Sequence, residues 1–286
     1  MQYSNPKIPE GINTSKTNPL KEFAVLTIGV IFVVISVLAL LIILVDLFAD
    51  KIPFQWEKEI PIERVLGNKD GSHLPDYINA LSQKIISNMQ LPDDMDITVH
   101  YVNDDTVNAF ATLGGHIVIY RGLLEKLTYE DELAAVIAHE VAHIKYRHPI
   151  LGASHGLAVG LVLSIISSSS DDIVSGLLGN TSMITVMKFS RDYEYQADKD
   201  AIELLITMYG HADGALGLFD IFNSVANALA PIEFLNTHPL TDNRISQAKA
   251  MIPDNQMGDQ TSMTVFPKDY INWLVAEKDL KINRNH

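Results

Sequence analysis

From Phe23 to Val45 the chain runs without a charged side chain and is dense in Val, Ile and Leu. A helix of that length is about 35 Å long, against a bilayer hydrocarbon core of about 30 Å. The pattern predicts one transmembrane helix over residues 23–48. A cleaved signal peptide would have a shorter apolar core, about 7 to 15 residues, and a small-x-small cleavage site that Leu47-Phe48-Ala49 does not supply. The segment therefore reads as an uncleaved anchor. Pro53, Pro61, Gly67 and Gly71 then interrupt a stretch of mixed charge, which predicts a linker or stalk over 49–73 with Trp56 at the lipid interface.

Leu74, Ile78, Leu81, Ile85 and Met89 recur at helical spacing. Ile97, Val99 and Tyr101 alternate with Thr98 and His100, as in a short strand. Asn108 to Tyr120 reads as a hairpin or a pair of extended segments, with Gly114-Gly115 as the turn and His116 to Tyr120 returning. Beyond it the pattern is helical almost to the end, so residues 74–286 are expected to form an α+β domain, mostly helical with a small mixed sheet. Phe219, Phe222 and Trp273 sit at spacings of core packing, and Ser167 to Ser170 reads as a loop. A second apolar stretch, Leu157 to Ile166, is too short to span and carries Gly160. It is expected to be a buried core helix, in preference to a membrane-dipping hairpin continuing through Ile173 to Leu178.

Charge and composition narrow the function. The 21 Lys plus Arg against 35 Asp plus Glu leave −14, no footprint for gripping phosphates, so nucleic acid is excluded as the expected partner. Lys7, Lys16 and Lys21 precede the span, whereas Asp46, Asp50, Glu57, Glu59 and Glu63 follow it. The positive-inside rule then makes residues 1–22 a cytoplasmic tail and places the domain beyond the membrane, in the periplasm of a bacterial inner-membrane protein. With no Cys in the chain, a metal must be held by His, Asp and Glu.

Thr128 followed by Glu130, Asp131 and Glu132 is a good helix start, with the hydroxyl as cap, and the helix is expected to run to Arg147 and stop at Pro149. It carries His139-Glu140-Val141-Ala142-His143. Positions four apart share an azimuth, so both imidazoles can bind one ion while Glu140 reaches a water on it. The helix is apolar nearly all round from Leu133 to Ile144, hence buried, and buried polar groups need partners. The longer motif with a third His fails, because Tyr146 and Pro149 stand at its Gly and His positions and His148 is one residue out of register. A carboxylate on a later helix remains. Glu194 and Asp198 share a face, where one can ligate and the other orient a ligating imidazole, or the pair forms a solvated acidic face.

Taken in order, Asn108-Ala-Phe-Ala, Gly114-Gly115 with Arg121-Gly122-Leu-Leu, His139-Glu-Val-Ala-His143, Glu194-x-x-x-Asp198, and His238-Pro239 with Arg244 resemble the membrane-tethered zinc metallopeptidases typified by HtpX, the CAAX prenyl endopeptidase and the mitochondrial protease Oma. The resemblance implies a gluzincin fold and one Zn2+ per chain. It further implies Glu194 as third ligand, Asp198 behind the ligands, and His238 and Arg244 at the reaction centre with the base Glu140. Substrate, a polypeptide that is unfolded or membrane-associated, is expected to add a strand along an exposed edge at His116, Ile117 and Val118, beside the close-approach turn Gly114-Gly115. The rival is a proteolytically silent metal-binding scaffold of the same fold. His73, His100, His155, His211 and His286 show no partner pattern and read as surface or satisfied histidines.

Overall fold

The computed structural model describes residues 18–62, 66, 73–167, 189–227, 233–257 and 262–284. The expectations placed on Lys7, Lys16, Glu63, Gly67, Gly71, His286, residues 168–170 and residues 173–178 lie outside them.

Helix α1, Pro19–Phe48, contains the apolar run, is capped by the Asn18 side chain and has no fully buried residue. The described part of the segment that follows is not a free stalk. Helix α2, Phe54–Lys58, sinks Phe54 into the domain core at 1% exposure, and Glu57 is buried against Arg147 and the N–H of Gly114. Pro53 precedes α2, and the apolar Phe54 and the paired charge of Glu57 hold the helix to the domain. Trp56 stays exposed.

Helix α3, Asp76–Asn88, buries Ile78, Leu81 and Ile85 at helical spacing. Strands β1 (Thr98–Val102), β2 (Ala109–Thr112) and β3 (His116–Tyr120) form a mixed sheet in the order β1-β3-β2, with β1 parallel and β2 antiparallel to β3. This corrects the reading of His116, Ile117 and Val118 as an exposed edge. β3 is the central strand, its backbone paired on both sides and its Ile117 and Val118 fully buried. A strand between two partners has no row of free N–H and C=O groups to offer. The turn is corrected too. Gly114 and Gly115 both have φ of 79°, and a Cβ on Gly115 would lie 2.1 Å from the Asp96 carbonyl, one on Gly114 2.9 Å from that of Glu57. What approaches these glycines is the protein's own backbone.

A short helix α4, Arg121–Leu124, leads to α5, Glu130–Lys145, in which every residue from Asp131 to Ile144 is buried. Its start is held by the Glu132 carboxylate, which accepts from the N–H groups of Thr128 and Tyr129, rather than by the Thr128 hydroxyl. Its end comes at Lys145, because Arg147 takes the left-handed conformation, φ 62°. Pro149 stands inside the first turn of the next helix, α6, His148–Ser167, where a missing N–H costs nothing. α6 is not the buried core helix expected. Leu157, Val159, Leu161 and Leu163 are each at least 38% exposed, and the helix packs along α1.

Helices α7 (Arg191–Tyr209) and α8 (Asp213–Asn227) cover α5, a turn α9 (Phe234–Thr237) follows, and α10 (Asp242–Met251) packs on α7. α11, Lys268–Arg284, lays Trp273 against Tyr101. The core expectation for Phe219 and Phe222 holds, both being at most 5% exposed. Of the histidines read as satisfied, His100 meets His116 at 3.0 Å, His155 meets Asp46 at 2.8 Å, and His211 lies 3.2 Å from Asp213.

Candidate metal centre

The middle of α5 presents His139 and His143 on one face, as a 3.6-residue period requires, with their Nε2 atoms 3.0 Å apart. The first turn of α7, whose N-cap is Ser190, brings Glu194 to the same point. Its Oε2 is 3.5 Å from His139 Nε2 and its Oε1 3.6 Å from His143 Nε2. α9 ends where His238 begins, and His238 Nδ1 lies 3.0 Å from Glu194 Oε1 and 3.2 Å from His139 Nε2. His139, His143, Glu194 and His238 are all buried, and one donor atom from each lies within 4.8 Å of the others.

These separations fit a cation. Nitrogen and oxygen ligands about 2.0 to 2.2 Å from a tetrahedral ion stand about 3.3 Å from each other, close to the 3.0 to 3.6 Å found between the donors of His139, His143 and Glu194. Among the described residues, Glu140 Oε1 and His238 Nε2 are buried with no hydrogen-bond partner, and they face each other at 3.4 Å. Imidazoles and a carboxylate without thiolate suit zinc and its divalent neighbours. A set of three would leave one coordination position open, and His238 is a fourth donor at the same point.

Asp198, one turn after Glu194 on α7, does not join the donor set. Its Oδ1 is 3.0 Å from His139 Nδ1, the ring nitrogen turned away from the cluster, and both its oxygens are held by Arg244, Oδ2 by Nε at 2.7 Å and Oδ1 by Nη2 at 2.8 Å. Arg244 reaches Glu194 Oε2 with its remaining nitrogen, Nη1, at 2.5 Å. The guanidinium expected at the reaction centre is thus bound up as a clamp across two carboxylates, supported from behind by the Phe219 ring. It holds the Asp198 carboxyl below the usual range, and His238 together with Arg244 holds that of Glu194 well below it, although burial alone would raise both. The cause is favourable pairing of their ionised forms.

His148, one residue out of motif register, has a place here that the spacing did not disclose. Its Nδ1 meets His143 Nδ1 at 2.8 Å, its Nε2 meets Gln196 Oε1 at 3.1 Å, and its ring stacks on Tyr193 at 4.1 Å. Burial pushes it down to about 4, so it is neutral at pH 7 and can fix the tautomer of His143. The opposite face of His143 is covered by Phe189 at 4.1 Å. A second contribution is a backbone group: the N–H of Ala111 on β2 donates to Glu140 Oε2 at 2.7 Å. A backbone donor leaves no mark in a sequence.

A cavity of about 370 Å³ opens at the cluster, with Glu194 and Arg244 in its wall between the start of α7 (Phe189, Arg191) and α10 (Asn243, Gln247). β2 has a sheet partner only in β3 among the described residues. Its Ala111 N–H points away from β3 to the cluster, so the sheet edge nearest the centre is β2.

His139 carries a measurable consequence. Burial opposes its charge, but the hydrogen bonds it donates to the Asp198 and Glu194 carboxylates overcome that and raise it to about 9. An imidazole must lose that proton to ligate. Metal binding at pH 7 is expected to release about one proton per ion, with affinity falling as pH drops below about 9. Calorimetry in buffers of different ionisation enthalpy reads the proton count. Zero release would show that His139 is neutral or not a ligand.

The chain is 28% identical over 189 residues to the mitochondrial metalloendopeptidase OMA1 of Schizosaccharomyces pombe, covering 65% of this chain and 55% of that protein. It is 31% identical over 212 residues to the beta-barrel assembly-enhancing protease of Yersinia pestis, covering 69% and 42%, and 27% identical over 194 residues to the Escherichia coli protein of that name, covering 62% and 38%. The chain thus spans about half the length, or less, of these relatives. The matched part begins where the described domain begins and ends with α10, since the profile of Peptidase family M48, a metal-dependent family, covers residues 73–252. Those residues contain both α5 histidines, Glu194, Asp198, His238 and Arg244, and this chain belongs to peptidase family M48.

Proposed function

We propose that this chain is a zinc-dependent endopeptidase that hydrolyses peptide bonds of unfolded or membrane-associated proteins, in the manner of a quality-control protease. The observation that carries the reading is one buried point at which the donors of His139, His143 and Glu194 converge with the Glu140 carboxylate beside them. A purely structural site has no use for that carboxylate. The relatives' names support the class: one is a metalloendopeptidase and two are proteases.

His139, His143 and Glu194 would hold the ion. When bound, it supplies Lewis acidity, acidifying a water molecule and polarising the substrate carbonyl. Glu140 is the general base: Ala111 holds its Oε2 and leaves Oε1 free to take the proton of the attacking water and pass it to the leaving amine. Asp198 orients His139, and Arg244 positions both acidic side chains without touching substrate. His238 Nε2 faces the same space as Glu140 and would be placed to meet the charge developing on the substrate carbonyl. The substrate backbone pairs along β2, giving affinity that does not depend on side chains.

The direct test is cleavage of unfolded casein by the purified full chain. Activity is expected to vanish with a chelator and return with Zn2+; chelator-resistant cleavage, or none with zinc bound, would remove the assignment.

We further place the protein in a bacterial inner membrane, with residues 23–48 crossing the lipid, the N-terminal tail of residues 1–22 in the cytoplasm and the catalytic domain periplasmic. The lysines before the span and the acids after it support this orientation. Protease added to intact spheroplasts is expected to digest the domain. Protection until lysis would reverse the topology.

A further inference from the structure

We propose that α6 is a second membrane-embedded element, a helix that enters the bilayer beside α1, reaches at least its midplane and faces lipid acyl chains. The proposal rests on reading α1 as a span. From His148 to Ser167 the helix has no Asp, Glu, Lys or Arg. Its Leu161 and Leu163 are 51% and 49% exposed, with Leu157 and Val159 close behind, an arrangement that water penalises at about 25 cal/mol for each Å² of apolar surface left uncovered.

The occupant follows from what lies alongside. α6 packs along α1, and Asp46 near the end of α1 is tied to His155 at 2.8 Å. His155, Ala158 and Val162 share one face of α6, the latter two buried. The answering stripe on α1 is Val34, Leu38, Leu41, Ile42 and Val45, partly buried in a helix whose other positions are open. From Val45 back to Val34 is about 16 Å of helix, and from His155 to Ser167 about 18 Å. Each length reaches at least to the middle of a hydrocarbon core about 30 Å thick. The exposed leucines of α6 lie on a helix packed along α1, whose Leu40, Ile43, Leu44 and Leu47 are exposed as well, and for α1 the covering solvent is lipid. The Asp46–His155 pair marks the boundary, where polar side chains are tolerated, and exposed Trp56 with Lys51 over the Phe48 ring lies on the same side.

The consequence for function is positional. α6 starts at His148, whose ring is hydrogen-bonded to His143, and His155 is about 10 Å further along the helix. The metal centre therefore sits within about two turns of the lipid surface, held there by two helices and by the docked α2. Substrates presented at that surface are the ones it reaches.

The test uses the full chain in lipid nanodiscs with both native tryptophans replaced (Trp56→Phe, Trp273→Phe) and one tryptophan introduced at a time: Leu161→Trp and Leu163→Trp on α6, Leu40→Trp on α1, and Ile271→Trp on α11. Metal content checks that each variant is folded. With bromine carried mid-chain on the acyl groups, fluorescence of the two α6 variants is expected to fall within about twofold as far as that of Leu40→Trp, while Ile271→Trp is unaffected. Quenching of Leu40→Trp alone would overturn the proposal and leave the α1 span standing, whether water or a second copy of the chain covers α6. Quenching of none would overturn both.

Discussion

Glu140→Gln is expected to leave a folded protein that binds about one zinc per chain and has lost at least 10²- to 10⁴-fold in turnover, the usual range for removal of a general base. The loss should exceed that range if the carboxylate also orients the attacking water. The geometry makes the substitution clean. Glutamine has the volume of glutamate, its carbonyl oxygen can still accept from the Ala111 N–H that Glu140 Oε2 now takes at 2.7 Å, and neither histidine is touched. An amide cannot take up a proton near neutral pH, so only the chemical step is removed. Turnover of unfolded casein beside metal content by atomic emission decides it. Near-normal turnover with full metal would show that Glu140 is not the base, whereas loss of metal would make it part of the donor set.

Glu194→Ala is expected to weaken zinc more than Asp198→Ala does. Removing a partner behind a ligand typically costs about 10 to 100-fold in metal affinity, and removing a ligand should cost more. Both carboxylates are also held by Arg244, which complicates a simple truncation. Stripping Asp198 leaves a buried guanidinium without its two-pronged partner, a change worth about 3 to 5 kcal/mol when a buried pair is broken. Asp198→Asn, which keeps volume and one acceptor, separates lost support of His139 from lost stability. Competitive zinc titration, with a thermal melt of each variant, gives the order. A Glu194→Ala protein that binds zinc as tightly as the parent would place the third ligand elsewhere and leave His238, already among the donors, as its replacement.

How far these arguments could be carried before any fold was known depends on whether they concern neighbours in the chain. The long apolar helix was legible because hydrophobicity summed over one helix is a local quantity, and α1 contains the run the pattern marks. The pairing of His139 with His143 was legible because a 3.6-residue period puts positions four apart on one azimuth whatever surrounds the helix. The same rule separates Glu194 from Asp198 by one turn of α7, although which of them faces the donors is set by where α7 meets α5. The order of sequence blocks pointed to the family for a related reason: it needs no distances.

What the chain could not disclose is everything that joins distant residues. A hairpin pattern predicts that β2 and β3 pair, but it is silent on the strand that arrives on the other side. β1 takes that side of β3 in parallel register, Thr98 opposite His116, and so turns an expected edge into the centre of the sheet and passes the edge to β2. The linker read as a stalk because its local composition is that of a loop. It docks because Glu57 finds Arg147, ninety residues away, and Phe54 finds the core. His148 lay one step out of a motif defined for a continuous helix, and only the break at Arg147, which starts a new helix at once, swings its ring back onto His143. Period and hydropathy are properties of a segment and determined the segments. Strand order, burial and the second partner of each polar group depend on which segments meet, and only the packed structure decides that.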